Sequence, residues 1–240
     1  LSEAASGVRD QLSEDVWLVL ADVERALAAL AANPYDQGLQ LTDAAERVLA
    51  GLLALAGIVS ENMVRDPGWH LLDVGRGLER ALQAVALLRA TLGARRDPTT
   101  DRLVTEAVLA ATESIVTFRR RYRGRSAADA VIELLVRDPR NPRSVAYQLQ
   151  RILGSLEAIP GTAPNARPLR LVDDLRETLR TVDPVALIEV QDGRRRLLEG
   201  FLADLQGRLR TLSEALRDQY QAAPPTQRAL RSPWPSGVQR

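Results

Sequence analysis

The chain has 240 residues, 45% of them apolar but only 4% aromatic, and its 32 arginines nearly balance its 31 carboxylates. That length fits one or two domains with a buried core, and the near-zero net charge gives no global electrostatic footprint for nucleic acid. Lysine and cysteine are both absent, which excludes Schiff-base and P-loop lysines, thiolate catalysis, disulfides and cysteine-ligated metals.

Leucine- and alanine-rich sequence with few aromatics favours helices. From Ser2 to Ala32, Val8, Leu12, Val16, Leu20, Val23, Leu27 and Leu30 recur at three-to-four spacing, which predicts one amphipathic helix ended by Asn33-Pro34. No basic segment followed by an apolar one opens the chain as a signal peptide would. Leu41 to Val64 reads as a second helix. Its apolar run, Leu49 to Val59, is interrupted by two glycines and is shorter than the roughly 18–20 residues of a membrane span. A cytoplasmic protein without a membrane partner is therefore expected. The break at Asp66-Pro67-Gly68 precedes a third helix from Trp69 to Leu92. Gly93 to Thr100 reads as a loop, and Asp101 as the cap of a fourth helix reaching about Tyr122. A shorter helix spans about Ser126 to Arg137. Asn141 and Pro142 then read as the N-cap and first residue of a helix reaching Ala158. Two more helices follow the loop from Ile159 to Pro168: about Leu169 to Thr181, and Asp183-Pro184 to about Ala222. Four prolines and a glycine make Ala223 to Arg240 a tail without regular structure. No alternating pattern is long enough for a sheet. The expected fold is all-α, a bundle of about seven amphipathic helices over residues 1–222 with a tail over 223–240.

Three polar constellations stand out. On the third helix, Asp73, Arg76, Glu79, Arg80 and Gln83 lie opposite an apolar arc that runs from Leu71 to Leu92. Solvated i,i+3 and i,i+4 pairs explain such a face. A site also explains it, and Gly75 and Gly77 around Arg76 favour one. Each costs about 1 kcal/mol relative to alanine inside a helix, which a close backbone or ligand would justify. The second constellation, Arg119-Arg120-Arg121-Tyr122-Arg123-Gly124-Arg125, ends a helix, where cations complement the macrodipole. It is also suited to clamp phosphate or carboxylate. Glu106, Glu113 and Arg120, spaced by seven, would share one face. The third, Asp138-Pro139-Arg140-Asn141-Pro142-Arg143-Ser144, is adequately explained as a turn and cap. The lone His70 cannot build a histidine-rich metal site, and no Glu-x-x-His pair exists for a di-iron bundle. Asp173-Asp174 has no second acidic cluster to face. No metal or cofactor is implied.

These segments, in this order, resemble the signatures of the Alpha-E family. The first is Arg65-Asp66-Pro67-Gly68-Trp69 followed by Asp73-x-Gly75-Arg76-x-x-Glu79-Arg80. The second is Phe118-Arg119-Arg120-Arg121-Tyr122, and the third Asp138-Pro139-x-Asn141-Pro142-Arg143-Ser144. The resemblance implies a helical domain that acts with circularly permuted ATP-grasp ligases, fused or separate. Transglutaminase-like peptidases and proteasome-like hydrolases often accompany them, in synthesis or processing of peptide-like metabolites. Family members also resemble an internal duplication with an earlier Glu-Arg helix, so this chain, which starts at Leu1 rather than Met, is expected to be the larger C-terminal part of such a domain.

The expected function is a non-catalytic accessory module that docks the ligase or presents an anionic substrate. Arg76, Glu79 and Arg80 would form a buried ion-pair network, with Arg119, Arg120 and Arg121 supplying positive charge and the likeliest partner for Glu79. Arg65, Asp66, Trp69, Asp73, Tyr122, Asp138, Asn141, Arg143 and Ser144 would support them. Two alternatives stay open: an enzyme using Glu79 and Asp73 as acid and base in amide transfer or hydrolysis, and a purely structural scaffold.

Overall fold

The computed structural model describes residues 2–32, 37–122 and 128–220. The expected helix stop at Asn33-Pro34 and the tail from Ala223 lie outside these residues. The chain divides into two compact units. One holds residues 1–73 with 158–160, the other 74–157 and 161–240. Among the described residues the structure is helical and has no strand, only isolated bridges at Ala94–Arg194 and Gln191–Arg194. The all-α fold is as expected, but the described residues hold eleven α-helices, several of a single turn, instead of about seven.

In the first unit, the single helix expected over Ser2–Ala32 is broken. α1 (Ser2–Ser6) gives way to a 3-10 turn (Arg9–Gln11) and then α2 (Glu14–Ala32). The break follows Gly7, a poor residue for a helix interior. Val16, Leu20, Val23 and Ala26 form the buried stripe of α2 and pack on α3 (Gln37–Glu61). Gly51 permits the approach, because any Cβ there would run into Val23.

The Arg65–Trp69 segment is a built corner. The Arg65 guanidinium donates to the carbonyls of Val59 (3.3 Å), Ser60 (2.5 Å) and Met63 (3.3 Å), satisfying orphan groups at the end of α3. The same guanidinium lies 4.1 Å over the Trp69 ring, whose indole N–H donates to the Val59 carbonyl at 3.1 Å. Asp66 accepts from the Trp69 amide at 2.8 Å and so caps α4 (Pro67–Leu92), which starts two residues before the expected Trp69 with Pro67 in its first turn.

In the second unit, Val74, Leu78, Ala81, Val85, Leu88 and Leu92 bury one stripe of α4. The next helix, α5 (Pro98–Ala111), is capped by Asp97 rather than Asp101; its carboxylate accepts from the amides of Thr99 and Thr100, both at 3.1 Å. Asp97-Pro98 is the same cap-and-proline pair that the sequence shows at Asp183-Pro184. The Thr100 hydroxyl, with the Thr100 and Thr99 amides, holds the Asp97 carboxyl below its usual range. The cap is therefore at full strength above the pH where an unfolded aspartate titrates, and is lost as pH falls through the lower native value.

The expected helix to Tyr122 is interrupted after Ala111. The Glu113 amide donates to Ala110 (2.9 Å) and the Ser114 amide to Leu109 (2.8 Å), a Schellman ending with Glu113 in the left-handed region at φ 49°. The chain resumes in α6 (Ile115–Arg121), α7 (Ala128–Ile132) and a π-helical stretch (Glu133–Arg137). Three elements follow: α8 (Val145–Ala158), α9 (Arg167–Thr181) and the single turn α10 (Pro184–Leu187). The expected continuation from Pro184 to Ala222 is broken where Asp192 (φ 49°) and Gly193 (φ 72°) turn the chain into α11 (Arg196–Tyr220). Leu198, Leu202, Leu205, Leu209 and Leu212 of α11 are fully buried, and α11 packs on α9.

The two glycines around Arg76 have different roles. A Cβ at Gly77 would stand 2.9 Å from Cγ1 of Ile152 on α8, whereas at Gly75 it would meet nothing within 4 Å. Gly75→Ala should therefore stabilise the protein by roughly 0.5–1 kcal/mol. Gly77→Val should destabilise it by about 1–3 kcal/mol through overpacking against Ile152. Thermal denaturation of the two variants checks the opposite signs.

Candidate functional site

The segment from Asp138 to Ser144 is a polar hub that leaves few groups unsatisfied. Oδ1 of Asp138 accepts from the Arg140 amide at 2.9 Å. The Ser144 hydroxyl donates to the Asp138 carbonyl at 2.5 Å and accepts from the Tyr147 amide at 3.0 Å. Ser144 is thus the N-cap of α8, a role expected for Asn141. Asn141 instead reaches back along the chain. Its Nδ2 donates to the Leu134 carbonyl at 2.9 Å, and its Oδ1 accepts from the Arg143 amide at 3.1 Å. The Gln148 Nε2 donates to the Pro142 carbonyl at 2.5 Å. Two prolines prevent the turn from bonding to itself as a helix would, so buried side chains replace the ladder.

The arginines of α6 separate into two kinds. Arg121 donates to the Asp138 carboxylate, and Asp138 is only 6% exposed. Beside it the Phe118 and Tyr122 rings lie 5.2 Å apart. A second tie joins Arg143 to Glu113. The segments 118–122 and 138–144, separate in sequence, are therefore one joint. Glu113 holds its left-handed backbone there although the conformation costs a non-glycine residue roughly 1–2 kcal/mol. It does not share a helical face with Glu106 and Arg120, because the Schellman ending intervenes; Glu106 pairs with Arg102 instead, at 3.1 Å. The side chains of Arg119 and Arg120 are exposed and make no hydrogen bond or ion pair among the described residues. Arg123 and Arg125 lie outside those residues.

Glu79 departs from expectation. It is exposed and, among the described residues, accepts only from Gln83 on its own helix, at 3.0 Å. No arginine of α6 pairs with it among the described residues: Arg121 is committed to Asp138, and Arg119 and Arg120 stay exposed. Asp73 is buried, and Arg76 and Arg80 are half-buried. Arg80 and Gln83 line a hollow of about 160 Å³ with Thr112, Arg143 and Gln148. The buried Oε1 of Gln148 accepts no hydrogen bond. Its amide nitrogen already serves Pro142, so this end of the side chain can only accept.

Sequence reasoning missed Arg195 and its pairing with Asp101. The Arg195 guanidinium is buried and donates to the carbonyls of Leu92 (2.8 Å) and Ala94 (3.1 Å) and to Asp101 (2.5 Å), closing the end of α4. Arg96 reinforces it by donating to the Thr91 carbonyl at 2.8 Å. The only advance signal is Arg194-Arg195-Arg196 ahead of an apolar helix. A hollow of about 720 Å³ is walled by charges that mostly satisfy one another, such as Arg137–Glu133 at 2.7 Å and Arg180–Glu177 at 2.6 Å. Among the described residues no group of three or more His, Asp or Glu side chains is placed to hold a metal. No described helix is long and apolar enough to cross a membrane.

The model of the Alpha-E family, described as a predicted alpha-helical domain with a conserved ER motif, matches residues 1–220. The uncharacterized protein Rv2567 of Mycobacterium tuberculosis is 42% identical over 228 residues, covering 93% of this chain and 26% of that protein. The uncharacterized protein Mb2597 of Mycobacterium bovis matches with the same identity and coverage. The chain spans about a quarter of the length of these curated relatives. No solved structure matches it.

The different placements of Asn141 and Glu79 give opposite expectations for their removal. Asn141→Ala orphans the Leu134 carbonyl and should cost about 1–3 kcal/mol. Glu79→Ala, at an exposed position, should stay within about 0.5 kcal/mol of wild type. Urea denaturation of both variants checks the contrast.

Proposed function

The chain belongs to the Alpha-E family, and on that premise we propose that it is a non-catalytic helical module acting with an ATP-grasp amide or peptide ligase. It holds an anionic, peptide-like substrate or an acidic segment of the ligase by its uncommitted arginines. The observation that carries this reading is the pair Arg119 and Arg120. They are exposed and unneutralised among the described residues, on a helix whose next arginine is anchored to Asp138. Guanidinium forks on an anchored helix present bidentate donors to a carboxylate or phosphate with less ordering cost than free chains.

Chemistry by the domain itself is the weaker reading. Glu79 is exposed, is bonded to Gln83 of its own helix, and lines none of the hollows described above. That the chain spans a quarter of its relatives supports a part played within a larger protein.

Arg119→Ala/Arg120→Ala should weaken binding of a triglutamyl peptide, and of the ligase partner, at least tenfold with an unchanged melting temperature. Arg120→Lys should fall between the double variant and wild type, because the charge survives without the fork. Calorimetric titration reads both. Unchanged affinity in a folded double variant would refute the clamp. Arg121 is left intact because its loss would strand Asp138.

A further inference from the structure

We propose that α3 carries a docking face for a basic amphipathic helix of a partner polypeptide. At 100° per residue, Leu41, Ala45, Leu49, Leu52, Leu53 and Ala56 fall within one arc of about 120°, and no charged residue of α3 lies on it. This is not the face α3 turns toward α2, where Ala44 is buried and Gly51 sits against Val23. Leu41, Leu49, Leu52 and Leu53 are 55%, 56%, 46% and 64% exposed. The helix is therefore apolar on two faces and has a cover on one. Helices of that kind are normally enclosed on both, and contiguous exposed aliphatic surface rimmed by polar residues marks an interaction site.

Charge identifies the occupant. Residues 1–73 hold twelve carboxylates and four arginines, whereas residues 74–240 hold nineteen carboxylates and twenty-eight arginines. The near-neutral total conceals a strongly acidic first segment. On α3 itself Glu46 borders the leucine arc, while Asp43 and Arg47 neutralise each other at 3.1 Å. An anionic membrane surface would meet this face with like charge, and so would the same face of a second copy. A helix with leucines at i, i+3/i+4 and i+7, flanked by arginine or lysine, matches both the stripe and its sign.

The probe is a fluorescent synthetic helical peptide with leucine at every a and d position and arginine at every e and g position. The references are the same peptide with glutamate for arginine, and a scrambled arginine peptide. Anisotropy should show the arginine peptide binding in a salt-sensitive manner, with both references at least tenfold weaker. Leu49→Gln/Leu53→Gln, which changes no charge, should weaken binding at least tenfold while circular dichroism and the melting temperature stay at wild-type values. Equal binding of the arginine and glutamate peptides would overturn the proposal, as would undiminished binding by the folded double variant. Self-association in sedimentation that the double variant abolishes would assign the face to a second copy, and capture by phosphatidylserine vesicles would assign it to a membrane. Either result refutes a basic helix as the occupant.

Discussion

Burial of the Asp138 carboxylate imposes the requirement around which the second unit is organised. A charge removed from water costs several kcal/mol unless a counter-charge and hydrogen bonds replace the solvent, and Arg121 and the Arg140 amide supply them. Meeting that requirement sets the end of α6 against the start of the turn. The turn holds its own carbonyls through Asn141, Ser144 and Gln148, and Ser144 goes on to cap α8. Leu149, Ile152 and Leu156 of α8 then enter the core in a fixed register, which places Ile152 against Gly77 of α4. A carboxylate near the surface of one turn thereby constrains the packing of three helices.

The same logic separates architecture from function within the family signatures. Arg65, Asp66 and Trp69 bond helix ends to each other. Asp138, Asn141 and Ser144 satisfy the turn they belong to. Each is explained by the fold without a ligand. What the fold does not use is the charge of Arg119 and Arg120 and the apolar arc of α3. Those surfaces are where binding is proposed, and they have different chemistry: one cationic, the other aliphatic with an acidic border.

Helix existence was legible because leucine and valine recur at three-to-four spacing from α2 to α11, and burial enforces that period. Helix breaks were less legible. Glu113 ends α5 in a left-handed conformation usually taken by glycine, so the segment gave no warning. Asp97-Pro98 did carry the cap signal, but Asp101 offered a competing carboxylate that the fold assigns to Arg195. The burial of Glu79 was misjudged for a related reason. A helical wheel gives a residue's direction but not which neighbours cover it, and of the three arginines expected near Glu79, Arg121 is paired with Asp138 while Arg119 and Arg120 stay exposed. Long-range partners such as Arg121–Asp138 and Arg143–Glu113 depend on where the turn places its side chains, which no spacing reports. The charge imbalance between the two units was available in the sequence and was masked by the whole-chain total.

The claim that the Asp138 carboxylate organises this joint is tested most directly by a double-mutant cycle with Arg121→Gln and Asp138→Asn, read by urea denaturation. The account predicts single variants that each lose stability and a coupling energy of about 1–2 kcal/mol between them, as residues sharing one partly buried interaction show. Losses that add within about 0.5 kcal/mol would mean the two side chains act independently and would contradict it.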